Sequence, residues 1–146
     1  MSLPEQLQKA HQIFLDTAPV IYFVEKNPSF ASQVSSIFER LDEGSLVAVV
    51  SPITLAECLV LPYKQDQTDV AQVFTDLLAN GQSVLFYPID ETIADKAARL
   101  RAHYNLALAD AFQIAVAIQA GCDVFLTNDV ELKRVTEISV LVVSEC

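Results

Sequence analysis

Four carboxylates have the placement and spacing to do chemistry. Asp16 directly follows the apolar run Ile13-Phe14-Leu15, and Asp129 lies two residues beyond the run Val124-Phe125-Leu126-Thr127. Asp110 is the sole charge between Arg101 and Asp123, and it opens a segment that is apolar nearly all round. Glu57 has Ile53, Val60 and Leu61 at i−4, i+3 and i+4. An acid on such a helical stripe is expected to face inward. No Lys or Arg adjoins Asp16, Glu57 or Asp110, and a buried carboxylate without a partner is costly. A hard divalent cation, Mg²⁺ or Mn²⁺, would neutralise such a group. A carboxylate cage around one or two such ions lowers the pKa of bound water and can clamp the oxygens of an in-line displacement. Asp16 is then the expected central ligand, with Asp110 and Asp129 beside it. Glu57 would bind through water or orient the nucleophile as a base. Each acid also has a plainer role open to it. Asp16 could cap a helix, Asp110 could complement a helix N-terminus, Asp129 could make a turn, and Glu57 could pair with a distant base.

The elements that must hold these acids alternate between helices and short β-rich runs. A short helix is expected over Leu3–His11, a strand over Ile13–Leu15, and a short helix over Thr17–Glu25 with Pro19 in its first turn. Ser29–Glu43 reads as a helix, with Val34, Ile37, Phe38 and Leu41 at 3.6-residue spacing and Gly44 as its stop. Leu46–Val50 is continuous and β-branched, as in a strand covered on both faces. Ser51-Pro52 then opens a helix that Pro62 is expected to end. Helices over Thr68–Asn80, stopped by Gly81, and over Glu91–Tyr104, capped by Asp90, enclose a strand at Ser83–Tyr87. A helix from Leu108 to Ala120, closed by Gly121, leads into the strand Val124–Thr127, and Ser139–Val143 is a fifth strand. Strands separated by helices imply an α/β fold with a mostly parallel sheet of about five strands. In such sheets ligands bind outside the carboxyl ends of the strands, where Asp16 and Asp129 fall. The helix opened by Asp110 should run antiparallel to the strand after it, which sets Asp110 beside Asp129.

Composition narrows the function. The 146 residues are 52% hydrophobic and 19% charged, with mean hydropathy +0.35. That excludes a disordered chain and reads as one domain over residues 1–146. The net charge of −10 makes the chain a poor non-specific binder of nucleic acid, so any such role rests on a local site or on metal ions. Cys58, Cys122 and Cys146 are odd in number and widely spaced, which supports neither a disulfide framework nor a zinc ribbon. The reducing cytoplasm is the expected compartment. Tyr104–Cys122 approaches the length of a membrane span, but its Asn105, Asp110, Gln113 and Gln119 fit a buried helix instead.

Four segments, Phe14-Leu15-Asp16-Thr17, Ser51-Pro52-Ile53-Thr54-Leu55-Ala56-Glu57, Leu106-Ala107-Leu108-Ala109-Asp110-Ala111 and Leu126-Thr127-Asn128-Asp129, resemble in order and spacing the PIN-domain proteins. The likeness is strongest to the VapC-type toxin nucleases of bacterial toxin–antitoxin pairs. The resemblance implies a three-layer α/β/α sandwich and a metal-dependent endoribonuclease that uses Mg²⁺ or Mn²⁺ and leaves a 5′-phosphate and a 3′-hydroxyl. It assigns the catalytic and metal-binding acids to Asp16, Glu57, Asp110 and Asp129, with Thr17, Thr127 and Asn128 in support. The chain departs from the family in its net charge, more acidic than many nuclease toxins, and in having Leu-Ala-Leu-Ala before Asp110.

Substrate and partners are read from charge and apolar excess. Lys96, Arg99 and His103 share one helix face, and Lys133 and Arg134 follow Asp129 closely. Lys96, Arg99, Lys133 and Arg134 are therefore candidate RNA contacts, against the plainer reading of solvated surface charge. Val20–Val24 and Cys58–Tyr63 carry more apolar side chains than one buried face requires, which points to a homodimer and a groove for a partner. By the resemblance that partner is an antitoxin protein, and the net charge favours a basic one. Two rivals remain. A phosphoacceptor receiver domain would want paired acids after the first strand and a Lys after a late one. A catalytically weak or inactive PIN scaffold would serve as a protein-binding module.

Overall fold

The computed structural model describes residues 4–146. The helix expected from Leu3 is α1, Glu5–Lys9; Leu3 itself lies outside the described residues. There follow β1 (Gln12–Leu15), α2 (Thr17–Val24), α3 (Ala31–Asp42), β2 (Val47–Val50), α4 (Pro52–Lys64), α5 (Thr68–Asn80), β3 (Val84–Phe86), α6 (Glu91–Tyr104), α7 (Leu108–Gln119), β4 (Val124–Thr127) and β5 (Ser139–Val142). A single 3₁₀ turn, Val130–Arg134, joins β4 to β5.

The strands form one sheet in the order β3-β2-β1-β4-β5, and every pairing is parallel. A parallel sheet needs crossovers on its faces, and the side-chain alternation along each strand shows both faces covered. Ile13, Leu15, Ala48, Val50, Val124 and Leu126 pack into one core with residues of α1 to α5. Phe14, Val49 and Phe125 point the other way, into a core built with α6 and α7. Phe14 and Phe125 stack with ring centroids 5.1 Å apart, which locks β1 to β4 at the centre. The result is the expected α/β/α arrangement, with β1 flanked by β2 and β4. Asp16, at the end of β1, thus sits between the chain segments that leave its two neighbours.

Local chemistry explains the boundaries and two departures. Ser51 caps α4 through a reciprocal capping box with Thr54, as Ser-Pro predicts. Pro62, expected to end this helix, lies inside it, and α4 runs on to Lys64. Its missing N–H costs one bond in the last turn. Leu61, Pro62 and Tyr63 keep their carbonyls bonded to the N–H groups of Gln65, Gln67 and Asp66, and the Pro62 ring is buried. Gly81 does follow α5, but at an ordinary φ of −68°. It is required for space rather than for handedness, because a Cβ there would stand 2.1 Å from the Leu77 carbonyl oxygen.

Candidate active site

The four acids reach the carboxyl edge of the sheet by four different routes. Asp16 extends the β1 ladder by one bond, its N–H donating to the Leu126 carbonyl at 2.9 Å. Its carboxylate accepts from the buried Thr127 hydroxyl, Oγ1 to Oδ2 2.8 Å. The same Thr127 Oγ1 accepts the Asp129 N–H at 3.1 Å, so one hydroxyl at the end of β4 connects two of the acids. Thr17 Oγ1 donates to Glu57 Oε1 at 2.6 Å, tying the start of α2 to α4. Asp110 stands in the first turn of α7.

The Asp110 carboxyl senses the other three acids. Asp110 has its pKa pushed up to about 6, first by burial and then by the charges of Asp16, Asp129 and Glu57. Asp16 is also raised, chiefly by burial, against the lowering effect of the Thr127 hydroxyl and the Thr17 backbone N–H. Among the described residues none of the four makes a salt bridge. The donor set is therefore oxygen only, anionic and uncompensated, which fits a hard divalent cation. Among the described residues, no three His, Cys, Asp or Glu side chains already stand close enough to hold a metal ion.

Two of the plainer roles can be checked against the hydrogen bonds. Asp129 Oδ1 accepts the Glu131 N–H at 3.0 Å, so Asp129 does make a turn as well as facing the other acids. Asp16 precedes α2, but its side chain makes no capping bond. Glu57 is exposed, which corrects the expectation that its stripe faces inward. Val60 and Leu61 on that stripe are each 51% exposed, because α4 turns its buried side, Thr54, Cys58 and Pro62, toward the core.

The supporting residues divide. Thr17 and Thr127 each hold an acid. Asn128 turns elsewhere, its Nδ2 donating to Tyr22 Oη at 2.8 Å and its Oδ1 accepting the Ser144 N–H at 2.9 Å. It braces the loop rather than the carboxylates. Lys133 pairs with Glu145 at 2.8 Å, and Arg134 donates to the carbonyls of Glu131 and Tyr104. Lys96 and Arg99 line a cavity with Ile118, two helical turns along α7 from Asp110 and about 12 Å away by helix rise.

One contributor escaped the sequence reading. Gln113, one turn after Asp110, is buried at 1% exposure. Its Oε1 accepts from the Ser51 hydroxyl and its Nε2 donates to Thr54 Oγ1 at 2.8 Å. It also helps to hold the Asp16 pKa down. It thereby pins the cap of α4 to α7 beneath the acids. The available signal was its position: an amide in the middle of α7 with apolar residues on both sides, where buried polar groups need partners.

The charge cluster sets a pH dependence. A carboxyl raised from 3.8 to about 6 by folding binds more protons folded than unfolded between those values. Its stabilising effect is complete below about pH 4 and is lost as pH rises through about 6. The shift corresponds to about 3 kcal/mol, which partial exposure reduces to about 1 kcal/mol. Asp123, held low by the N–H groups of His11 and Gln12, acts with the opposite sign, below its usual range. Metal-free protein should therefore melt higher at pH 5 than at pH 7.5, and Asp110→Asn should flatten that slope. Scanning calorimetry in EDTA measures both, and equal slopes in the two proteins would remove Asp110 as the cause.

The chain belongs to the PIN domain family, whose model matches residues 13–138. No curated protein sequence matches it. Among solved structures, VapBC2 from Rickettsia felis, bound to a DNA fragment from its promoter, superposes with TM-score 0.70 at 16% identity, covering 89% of this chain and 97% of that one. FitAcB from Neisseria gonorrhoeae gives 0.67 at 20% identity, covering 92% and 99%. The sarcin–ricin loop cleaving toxin VapC20 from Mycobacterium tuberculosis gives 0.64 at 15%, covering 77% and 86%. At these identities the likeness is one of fold.

Proposed function

We propose that this chain is a metal-dependent endoribonuclease and the toxin of a toxin–antitoxin pair. The observation that carries the reading is the set of four carboxylates at the carboxyl edge of a PIN fold, with Asp110 raised by the charges of the other three and none in a salt bridge among the described residues. Mg²⁺ or Mn²⁺ held by Asp16, Asp110 and Asp129 would supply Lewis acidity and a water of lowered pKa. The chain's own residues do the rest. Thr127 keeps one Asp16 oxygen oriented. Glu57, at the exposed rim and steadied by Thr17, is the group with access to an attacking water, and serves as base or water anchor. The toxin cleaving the sarcin–ricin loop is consistent with RNA as substrate. Incubating a labelled RNA with the protein in Mn²⁺, Mg²⁺ or EDTA tests this; cleavage that persists undiminished in EDTA rejects metal dependence.

The partner proposals have support of their own. Tyr63 is 57% exposed, and Val73 on α5 is 51% exposed, alongside Val60 and Leu61. Grouped apolar exposure of this kind marks interaction surfaces, and we assign it to a homodimer contact with an antitoxin groove nearby. The same feature would serve a non-catalytic binding scaffold. The Val20–Val24 segment is less available than its composition suggests: Val20 is fully buried and Ile21 to Val24 are half-buried. Sedimentation velocity at micromolar concentration should show a dimer, and a monomer at every concentration rules it out.

A further inference from the structure

The stretch Lys96–Ala109 holds three of the nine Lys and Arg, one of the two His and none of the nineteen acids. In a chain of net charge −10 this is a strong local reversal of sign. Lys96, Arg99 and His103 lie on one face of α6 and, with Leu100, Ile118 and Glu137, line a cavity of about 280 Å³. Leu100 and Ile118 give it an apolar wall. Lys96 makes no salt bridge among the described residues, and Arg99 makes only the exposed pair with Asp95 at 2.8 Å, a kind of contact that yields readily. The one acid at the cavity, Glu137, is engaged by the hydroxyls of Tyr104 and Thr136. The track continues toward the acids. Arg134 Nη1 donates to the Tyr104 carbonyl at 2.9 Å, so the C-terminal end of α6 abuts the 3₁₀ turn that begins directly after Asp129.

We propose that this α6 track binds the single-stranded RNA flanking the bond cleaved at the acids. Phosphates lie along Arg99 and Lys96, and one base rests in the cavity on Leu100 and Ile118. The inference rests on the nuclease reading of the acids and adds to it a second site for the same strand. The chemistry matches the combination that binds single strands: cations along a path with an apolar surface for a base. Ile118 lies about 12 Å along α7 from Asp110.

Binding is read by fluorescence anisotropy of labelled single-stranded RNA in EDTA, so that no metal-supported cleavage intervenes. A 12-mer is titrated with the wild-type chain, with the double variant Lys96→Ala/Arg99→Ala and with the charge-matched control Lys26→Ala/Lys64→Ala, the melting temperatures of both being checked against wild type. We expect the double variant to bind the 12-mer about tenfold more weakly and the charge-matched control to bind it as wild type does. The slope of log K against log salt on the 12-mer should fall in magnitude by about 1.4, at about 0.7 for each phosphate no longer neutralised. Unchanged 12-mer binding overturns the track alone, and the nuclease reading then stands on its own cleavage assay. Equal weakening in the charge-matched control also overturns it, because it would mark a general charge effect. Failure of the wild-type chain to bind the 12-mer overturns track and substrate together. If wild type binds a poly-glutamate peptide as tightly as the 12-mer, and the double variant loses both equally, the surface belongs to an acidic protein segment and the RNA assignment falls.

Discussion

Asp16→Asn should reduce RNA cleavage by about 10²–10⁴-fold while leaving the fold at least as stable as wild type at pH 7.5. The two halves of this expectation have one cause. Asp16 sits at the end of the central strand, its pKa raised mainly by burial and also by Glu57, so its charge is held there at a cost. Asn keeps the shape and can still accept from Thr127, whose hydroxyl lies 2.8 Å away. It removes the charge that would hold a cation at the centre of the four acids. Calorimetric titration with Mn²⁺ should show binding to wild type and a large loss in the variant, and thermal melting in EDTA should show no destabilisation. Mn²⁺ binding equal to that of wild type would displace Asp16 from the central role. A variant that unfolds would instead make Asp16 a structural acid.

Gln113→Leu should cost about 1–3 kcal/mol of stability, measured as a lower urea midpoint at unchanged slope. Leu fills a similar volume, so the loss is not a cavity effect. It leaves the Ser51 hydroxyl, at 0% exposure, without its acceptor, and takes from Thr54 Oγ1 one of two donors, the Ser51 N–H remaining. Each buried polar group left unsatisfied costs about 1–3 kcal/mol. The Asp16 pKa should rise further, since Gln113 helps to hold it down. An unchanged midpoint would mean that water satisfies the Ser51 hydroxyl.

The sequence made the acid edge readable for a specific reason. Asp16 and Asp129 end strands whose apolar runs are unbroken, and parallel topology sends both to the same edge. Asp110 could be placed because the apolar helix it opens has only one direction available. Orientation about a helix axis was harder to read. The Ile53, Val60 and Leu61 stripe looked like the inward face of α4, yet Thr54, Cys58 and Pro62 are its buried residues. Periodicity finds an apolar face without saying whether core or partner covers it. The same limit hid Gln113, whose partners Ser51 and Thr54 are some sixty residues away in sequence. It also hid the position of Lys96 and Arg99, which depends on how α6 and α7 pack rather than on any local pattern.

The order of strands across the sheet bears on how this molecule comes into being. β1 is made first, but its neighbour β4 comes late, and the two are joined through Ile13, Phe14 and Leu15 against Val124, Phe125 and Leu126. Until β4 has left the ribosome, Asp16 lacks the Thr127 hydroxyl and Asp129 is not yet present. At about 5–20 residues per second, Asp16 and Asp129 are separated by roughly 6–23 seconds of synthesis. Throughout that interval the growing chain carries one completed acid motif after another with no assembled centre. A chain with this topology acquires its site late in synthesis, and truncated translation products that stop before β4 lack the means to build it.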